Sequence, residues 1–237
     1  MIGRVEGRKA GGERPLVVIV GGPPGAGKTT LARRLAADLG LPLMCKDTIK
    51  EVLFEALGAS DRAWSRRLGG ASMELLYCFV EAQLAAGQSC VAEANFDPAF
   101  GTPVFKRLAR EYPHTAVQVN CVADPAVLAE RFRRRALSGE RHPGHQDHRL
   151  AFGQDHRLAF GQEPPEPGLD APIPGRIPPM EIGGKVIEID TTDWDRVDYA
   201  RLRDRVKQLL PTVGRGFKWN RERRPSRAPA LPRAPAL

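Results

Sequence analysis

The stretch GGPPGAGKTT, residues 21–30, limits what this chain can fold into more than any other. It fits G-x-x-x-x-G-K-[ST] as Gly22, Pro23, Pro24, Gly25, Ala26, Gly27, Lys28 and Thr29. Glycines let the backbone turn successive N–H groups inward, and a helix starting at the end of the loop adds its positive N-terminal end, which together make a nest for phosphates. Lys28 is placed to reach the β- and γ-phosphates of a nucleotide, and the Thr29 hydroxyl to ligate Mg²⁺. A bare motif could also be a Gly-Pro turn with an incidental lysine, so its context decides. LVVIV, residues 16–20, is the continuous apolar run of a buried parallel strand, and TLARRLAADL places Leu31, Leu35 and Leu39 on one helical face. Strand, loop and helix are the context the motif requires. The segment from Gly22 to Thr30 is therefore expected to bind ATP or GTP.

The pattern recurs along the chain. LPLMC (41–45) reads as a second strand, and TIKEVLFEAL puts Ile49, Val52, Leu53, Ala56 and Leu57 at helical spacing. A helix is expected from about Ala71 to Ala86, then the strand SCVAEA, a helix around Val104 to Arg110, and the strand AVQVNCV. Asp124 and Pro125 suit the N-cap and first position of a helix running into ERFRRRA. KVIEID is a fifth strand, followed by a helix with Tyr199, Leu202, Val206, Leu209 and Leu210 on one face. Alternation of this kind predicts an α/β fold, a three-layer sandwich in which about five parallel strands carry helices on both faces.

Two stretches interrupt it. Residues 146–161 are QDHRLAFG written twice, which a packed core would not absorb, so a surface loop is expected. EPPEPGLDAPIPGRIPP (163–179) reads as an extended connector. Residues 1–14 and 215–237 have low-complexity composition and are expected to be disordered arms around a domain spanning 15–214.

Charge narrows the partners. The 237 residues carry a net +8, but the first 14 hold +2 and residues 215–237 hold +6, which leaves the body neutral. A basic pI is then poor evidence that the folded body grips a polyanion. Cys45, Cys78, Cys90 and Cys121 are far apart, lack C-x-x-C spacing and sit in apolar runs, so all four are expected to be buried thiols of a reducing, cytoplasmic protein. No apolar run is long enough for a membrane span.

Binding is not yet a reaction. Ligands of open α/β sheets collect beyond the carboxyl ends of the strands, where Asp47 and Glu93 are expected. Asp47 could accept a proton from a hydroxyl during phosphoryl transfer, or cap the following helix; spacing leaves both open. Glu93 could hold Mg²⁺ or orient a substrate. Asn95 could contact an acceptor or form a turn. His142, His145 and His148 have three-residue spacing, but the intervening Pro-Gly and the lack of a nearby cysteine disfavour zinc.

The P-loop, Lys46-Asp47 before an Ile-Lys-Glu helix, EANF on the third strand, and the R-x3-R spacing of Arg131 and Arg135 together resemble the P-loop kinases of the zeta-toxin, chloramphenicol phosphotransferase and polynucleotide 5′-kinase type. Many members of that group carry only the label AAA family ATPase. The resemblance spans residues 16 to about 210. It implies that Asp47 is the base that activates the acceptor hydroxyl, and that residues 131–162 form an arginine-bearing lid. In that lid Arg131 would lie near the adenine or its phosphates and Arg135 would reach the transferring phosphoryl, whereas Arg133 and Arg134 read as a solvated face. Thr191, with Thr192 and Asp193, would pass near the adenine. The leading expectation is an ATP- and Mg²⁺-dependent kinase, monomer or weak dimer, acting on a hydroxyl of a small molecule. A kinase of nucleic-acid 5′-ends is the alternative within the group, and an ATP-binding switch is the alternative outside it.

Overall fold

The computed structural model describes residues 14–138, 142–145 and 173–211. The tandem octapeptide and the rest of the expected lid beyond 138 except 142–145, residues 1–13, the whole of 215–237 and the first part of the proline-rich connector lie outside the described residues. In chain order the elements are β1 (Leu16–Gly21), α1 (Lys28–Leu39), β2 (Leu43–Cys45), α2 (Lys46–Leu57), α3 (Arg62–Ala85), β3 (Cys90–Glu93), α4 (Pro98–Glu111), β4 (Thr115–Val122), α5 (Pro125–Ser138), β5 (Lys185–Asp190) and α6 (Tyr199–Lys207). The five strands form one parallel sheet in the order β2-β3-β1-β4-β5.

Period-two alternation along β1 explains the layers. Leu16, Val18 and Val20 pack with Leu31 and Leu35 of α1, Leu128 of α5, and Tyr199, Leu202 and Val206 of α6. Val17 and Ile19 face the other way, onto Leu76, Val80 and Leu84 of α3 and Phe105 and Leu108 of α4. Near β4 the second face is covered by backbone instead of a helix. Gln118 donates through Nε2 to the Met180 carbonyl (2.9 Å) and accepts from the Met180 N–H (2.8 Å), while Asn120 Nδ2 donates to the Ile177 carbonyl (2.9 Å). The end of the proline-rich connector is thus laid across the sheet, and two strand amides supply the partners its backbone needs.

Several expectations change. Helix α3 starts at Arg62, nine residues before the expected Ala71, because the Asp61 carboxylate caps it by accepting from the Trp64 N–H at 2.8 Å. Gly69 and Gly70 hide this in the sequence; at Gly69 a Cβ would lie 3.7 Å from Lys50 Nζ, so this position faces α2. Helix α4 starts at Pro98, capped by Asp97, and runs through Pro103 at the cost of one backbone bond. Cys78 is exposed on α3; Cys45, Cys90 and Cys121 are the buried thiols, with pKa values pushed up to about 12, chiefly by burial. Strand β2 is confined to Leu43–Cys45, so Asp47 lies in the first turn of α2 and not on the strand. The N-cap is Cys45, whose own side chain makes no cap bond, so Asp47 sits inside the first turn and not at the cap position. A carboxylate in a first turn is still favoured by the helix dipole.

On α2 the buried residues are Lys50 and Phe54. Phe54 is 2% exposed because residues 142–145 lie on it, with His142 stacked at 5.1 Å and 7° and His145 edge-on at 5.5 Å. Burying such a ring contributes about 1.5–3 kcal/mol. No described helix is long and apolar enough to cross a membrane.

Candidate active site

Parallel register assembles the site. Glu93 stands opposite Val20 of β1 and Cys45 of β2, so the carboxyl ends of three neighbouring strands meet where β1 gives way to the glycine-rich loop. The chain continues from β1 to β2 on one side of β1 and has β4 and β5 on the other, which makes this edge the topological switch point where such sheets hold ligands.

The loop conformation depends on its glycines. Gly22, Gly25 and Gly27 have φ of 137°, 82° and 70°, in the left-handed region that disfavours other residues. Each is also closely packed: a Cβ at Gly22 would overlap the Cys121 carbonyl, one at Gly25 would sit 3.1 Å from the Leu128 carbonyl oxygen, and one at Gly27 would overlap the Trp194 ring. Gly27 is the N-cap of α1, with no side-chain cap, so the first-turn amides of α1 have no side chain bonded to them at the cap. That combination of concave backbone and uncapped helix start fits a polyphosphate.

Lys28 Nζ folds back to donate to the Pro23 carbonyl at 2.9 Å. Burial lowers its pKa, while Glu93 and then Asp47 oppose that shift and Arg135 reinforces it. Glu93 is 3% exposed; burial raises its pKa, Lys28 opposes the shift and Asp47 adds to it. Thr29 Oγ1 donates to Glu93 Oε2 at 3.0 Å. Lys28, Thr29, Glu93, Asp47 and Arg135 therefore form one electrostatic neighbourhood. Asp47 is its solvent-facing member, with a side chain 39% exposed and Lys46 Nζ 3.9 Å away. Thr30, next to Thr29, is exposed. Arg135 also lies over the Phe132 ring at 5.0 Å.

The β5–α6 loop clamps this assembly from behind. Thr191 is fully buried, and its hydroxyl is shared between the carbonyls of Ala26 and Val122, both at 3.1 Å. A side chain enclosed in this way holds the β5–α6 loop against the glycine-rich loop. Thr192 accepts at its carbonyl from Arg131 Nη2 at 3.0 Å, and Arg131 Nη1 is buried with no hydrogen-bond partner among the described residues. Burial lowers the pKa of Arg131, Arg134 adds to the effect and Asp193 opposes it. A buried donor left over in this way is suited to a ligand oxygen or ring nitrogen.

The family model described as an AAA domain, AAA_33, matches residues 17–154, more than half of the chain. The chain belongs to this family. Its AAA domain is of the P-loop kinase-like kind, as the solved relatives agree. A protein of Chloroflexus aurantiacus J-10-fl, described as a putative kinase, is 37% identical, with a TM-score of 0.70 over 84% of this chain and 100% of that one. Kti12 of Chaetomium thermophilum, solved with ADP-AlF3, covers the same 84% at a TM-score of 0.51 and 16% identity, a likeness of fold alone. A cytidylate kinase of Ignicoccus hospitalis is 43% identical over 44 residues, which is 19% of this chain and 26% of that enzyme. The chain thus spans about a quarter of the length of that curated relative.

Two parts of this AAA domain's site carried no readable signal in the sequence, and a third carried a misleading one. Trp194 rests on Gly27 from 167 positions away in the chain, and no local pattern marks that contact. Cys45 faces Glu93 only through strand register. His142 and His145 read as metal-like spacing, whereas the structure seats both on Phe54, with His145 Nε2 3.0 Å from Glu51 Oε1. Arg133 and Arg134 are exposed, as their solvated reading expected.

Proposed function

We propose that this protein transfers the γ-phosphoryl group of ATP to a hydroxyl of a small molecule, with Asp47 as general base. The observation that carries the reading is the hydrogen-bonded pair Thr29–Glu93 beside Lys28, with Asp47 coupled to both charged members and facing solvent, where an acceptor can approach. The 37% identity to a protein described as a putative kinase, and the 44-residue likeness to a cytidylate kinase, support phosphotransfer over a purely structural use of the loop.

In this reading the segment Gly22 to Thr30 cradles the phosphates with backbone N–H groups, and Lys28 leaves Pro23 to pair with the β- and γ-phosphates. Thr29 and Glu93 offer the neighbouring oxygens a hard cation prefers, which fits Mg²⁺. When bound, Mg²⁺ neutralises phosphate charge. The acceptor oxygen bonds to the γ-phosphorus as the bond from that phosphorus to the bridging oxygen of ADP breaks, and the hydroxyl proton passes to Asp47. Arg135 stabilises charge on the transferred group and Arg131 holds the nucleotide through its spare N–H. The neutral body favours a small acceptor over a nucleic-acid end. The test is a screen of nucleosides, antibiotics, amino sugars and 5′-hydroxyl oligonucleotides with γ-labelled ATP. Label appearing on one small-molecule class supports the reading; label on oligonucleotides alone, lost steeply as salt rises, replaces it with the nucleic-acid alternative.

A further inference from the structure

Helix α2, which carries Asp47, packs on α3. Its buried residues are Lys50 and Phe54, and together with Asp47 and Glu51 they occupy positions i, i+3, i+4 and i+7, one face of the helix. That face is covered by α3 and by residues 142–145, which follow Arg135 by seven positions. A directional chain of hydrogen bonds joins the three pieces. Lys50 Nζ donates to Ser65 Oγ at 2.9 Å, and Ser65 Oγ donates to the Gly144 carbonyl at 2.9 Å. Both side chains are at least nine-tenths buried, at 9% and 7% exposure. Gly144 can lie this close because it lacks a side chain: a Cβ there would sit 2.7 Å from the Phe54 ring. His145 adds the contact to Glu51, and His142 closes over Phe54.

We infer that the Lys50–Ser65–Gly144 relay couples residues 142–145 to the helix carrying Asp47, so that seating residues 142–145 and orienting Asp47 are one event. Lys50 and Ser65 are then positioning residues, acting through α2. A buried ammonium and hydroxyl are costly unless satisfied, so leaving of the Gly144 carbonyl removes the acceptor of the Ser65 hydroxyl and unsettles the whole chain of bonds. At the same moment Phe54 loses its cover. Both buried anchors of α2 are loosened together, one and two turns from Asp47 on the same face.

The kinetic part rests on the phosphotransfer reading; the coupling itself does not. The full chain and its Ser65→Ala, Ser65→Thr and Gly144→Ala variants are compared by hydrogen exchange with Mg²⁺ and a non-hydrolysable ATP analogue, and by Mg²⁺-ATP hydrolysis in water. Ser65→Ala and Gly144→Ala are expected to raise exchange at least tenfold in residues 142–145 and in α2, with α1 unchanged. Hydrolysis should fall at least tenfold in kcat with KM for ATP within twofold, and Ser65→Thr, which keeps the hydroxyl, should restore both. A residue of merely structural importance would lower the melting temperature without that split. If Ser65→Ala does not fold, His142→Ala carries the same expectation. Unchanged exchange in α2, or released exchange with unchanged kcat, overturns the inference. A wild-type chain that hydrolyses no ATP counts against the phosphotransfer reading instead, and the exchange measurement then decides the coupling alone.

Discussion

Thr29 donates its hydroxyl hydrogen to Glu93 at 3.0 Å, across a sequence separation of 64 residues. This bond joins the first turn of α1 to the end of β3 and sets two oxygens side by side next to the glycine-rich loop. Glu93→Gln keeps the shape and removes the charge. Turnover with Mg²⁺ is expected to fall about 10- to 100-fold, with a matching loss of apparent Mg²⁺ affinity. A Mg²⁺ titration of ATP hydrolysis measures it, and an unchanged titration would assign Glu93 to another task.

Gly27 carries a left-handed φ of 70° and lies against the Trp194 ring. Gly27→Ala is expected to cost about 1–3 kcal/mol in stability and to lower ATP affinity at least tenfold. Adding Trp194→Ala relieves the overlap but not the backbone strain, so affinity should recover only in part. Denaturant midpoints and ATP titrations of the two variants check this.

Thr191→Val should act as a loop mutation although the side chain meets no solvent. The Ala26 and Val122 carbonyls lose the hydroxyl they share, at a cost of about 1–3 kcal/mol. ATP binding is expected to weaken with kcat little changed for the nucleotide that still binds. Isothermal titration and steady-state rates separate these effects.

Tyr199 donates to Asp38 Oδ2 at 2.6 Å and tethers α6 to the end of α1, with Arg34 over its ring at 3.7 Å. Burial first, then Asp38, holds the phenol above its ordinary range. A raised pKa means the folded chain keeps a proton that the unfolded chain releases, so this stability is complete below about pH 10 and declines as pH rises beyond it. Tyr199→Phe should cost about 1 kcal/mol near neutral pH and flatten the alkaline decline. Urea midpoints from pH 8 to 11 for both proteins test the sign.

Local chemistry made much of this fold readable. The glycine-rich loop needs positive φ at Gly25 and Gly27, and apolar or, for β5, alternating stretches of strand length mark the five strands, so both the loop and the sheet follow from neighbours in sequence. Asp124 caps α5 as its pairing with Pro125 implies, accepting from Ala126 N–H at 2.7 Å. The errors arose where tertiary contacts override local preference. A glycine pair concealed the first half of α3, whose surroundings at Gly69 are occupied by Lys50. Cys78 sits in an apolar run yet points outward, since a 24-residue helix packed on one side must expose some apolar positions. Asp47 looked like the end of a strand because α2 begins at Lys46, directly after the last β position, with no loop between them. Thr191, Trp194 and Ser65 act through contacts between distant segments, which spacing along one chain cannot display.

The central claim is that Asp47 is the base. With γ-labelled ATP and whichever acceptor the screen identifies, Asp47→Asn is expected to retain ATP affinity within a few fold and to lose phosphoryl transfer by about 10²- to 10⁴-fold. An Asp47→Asn protein that transfers phosphate at the wild-type rate would contradict the account.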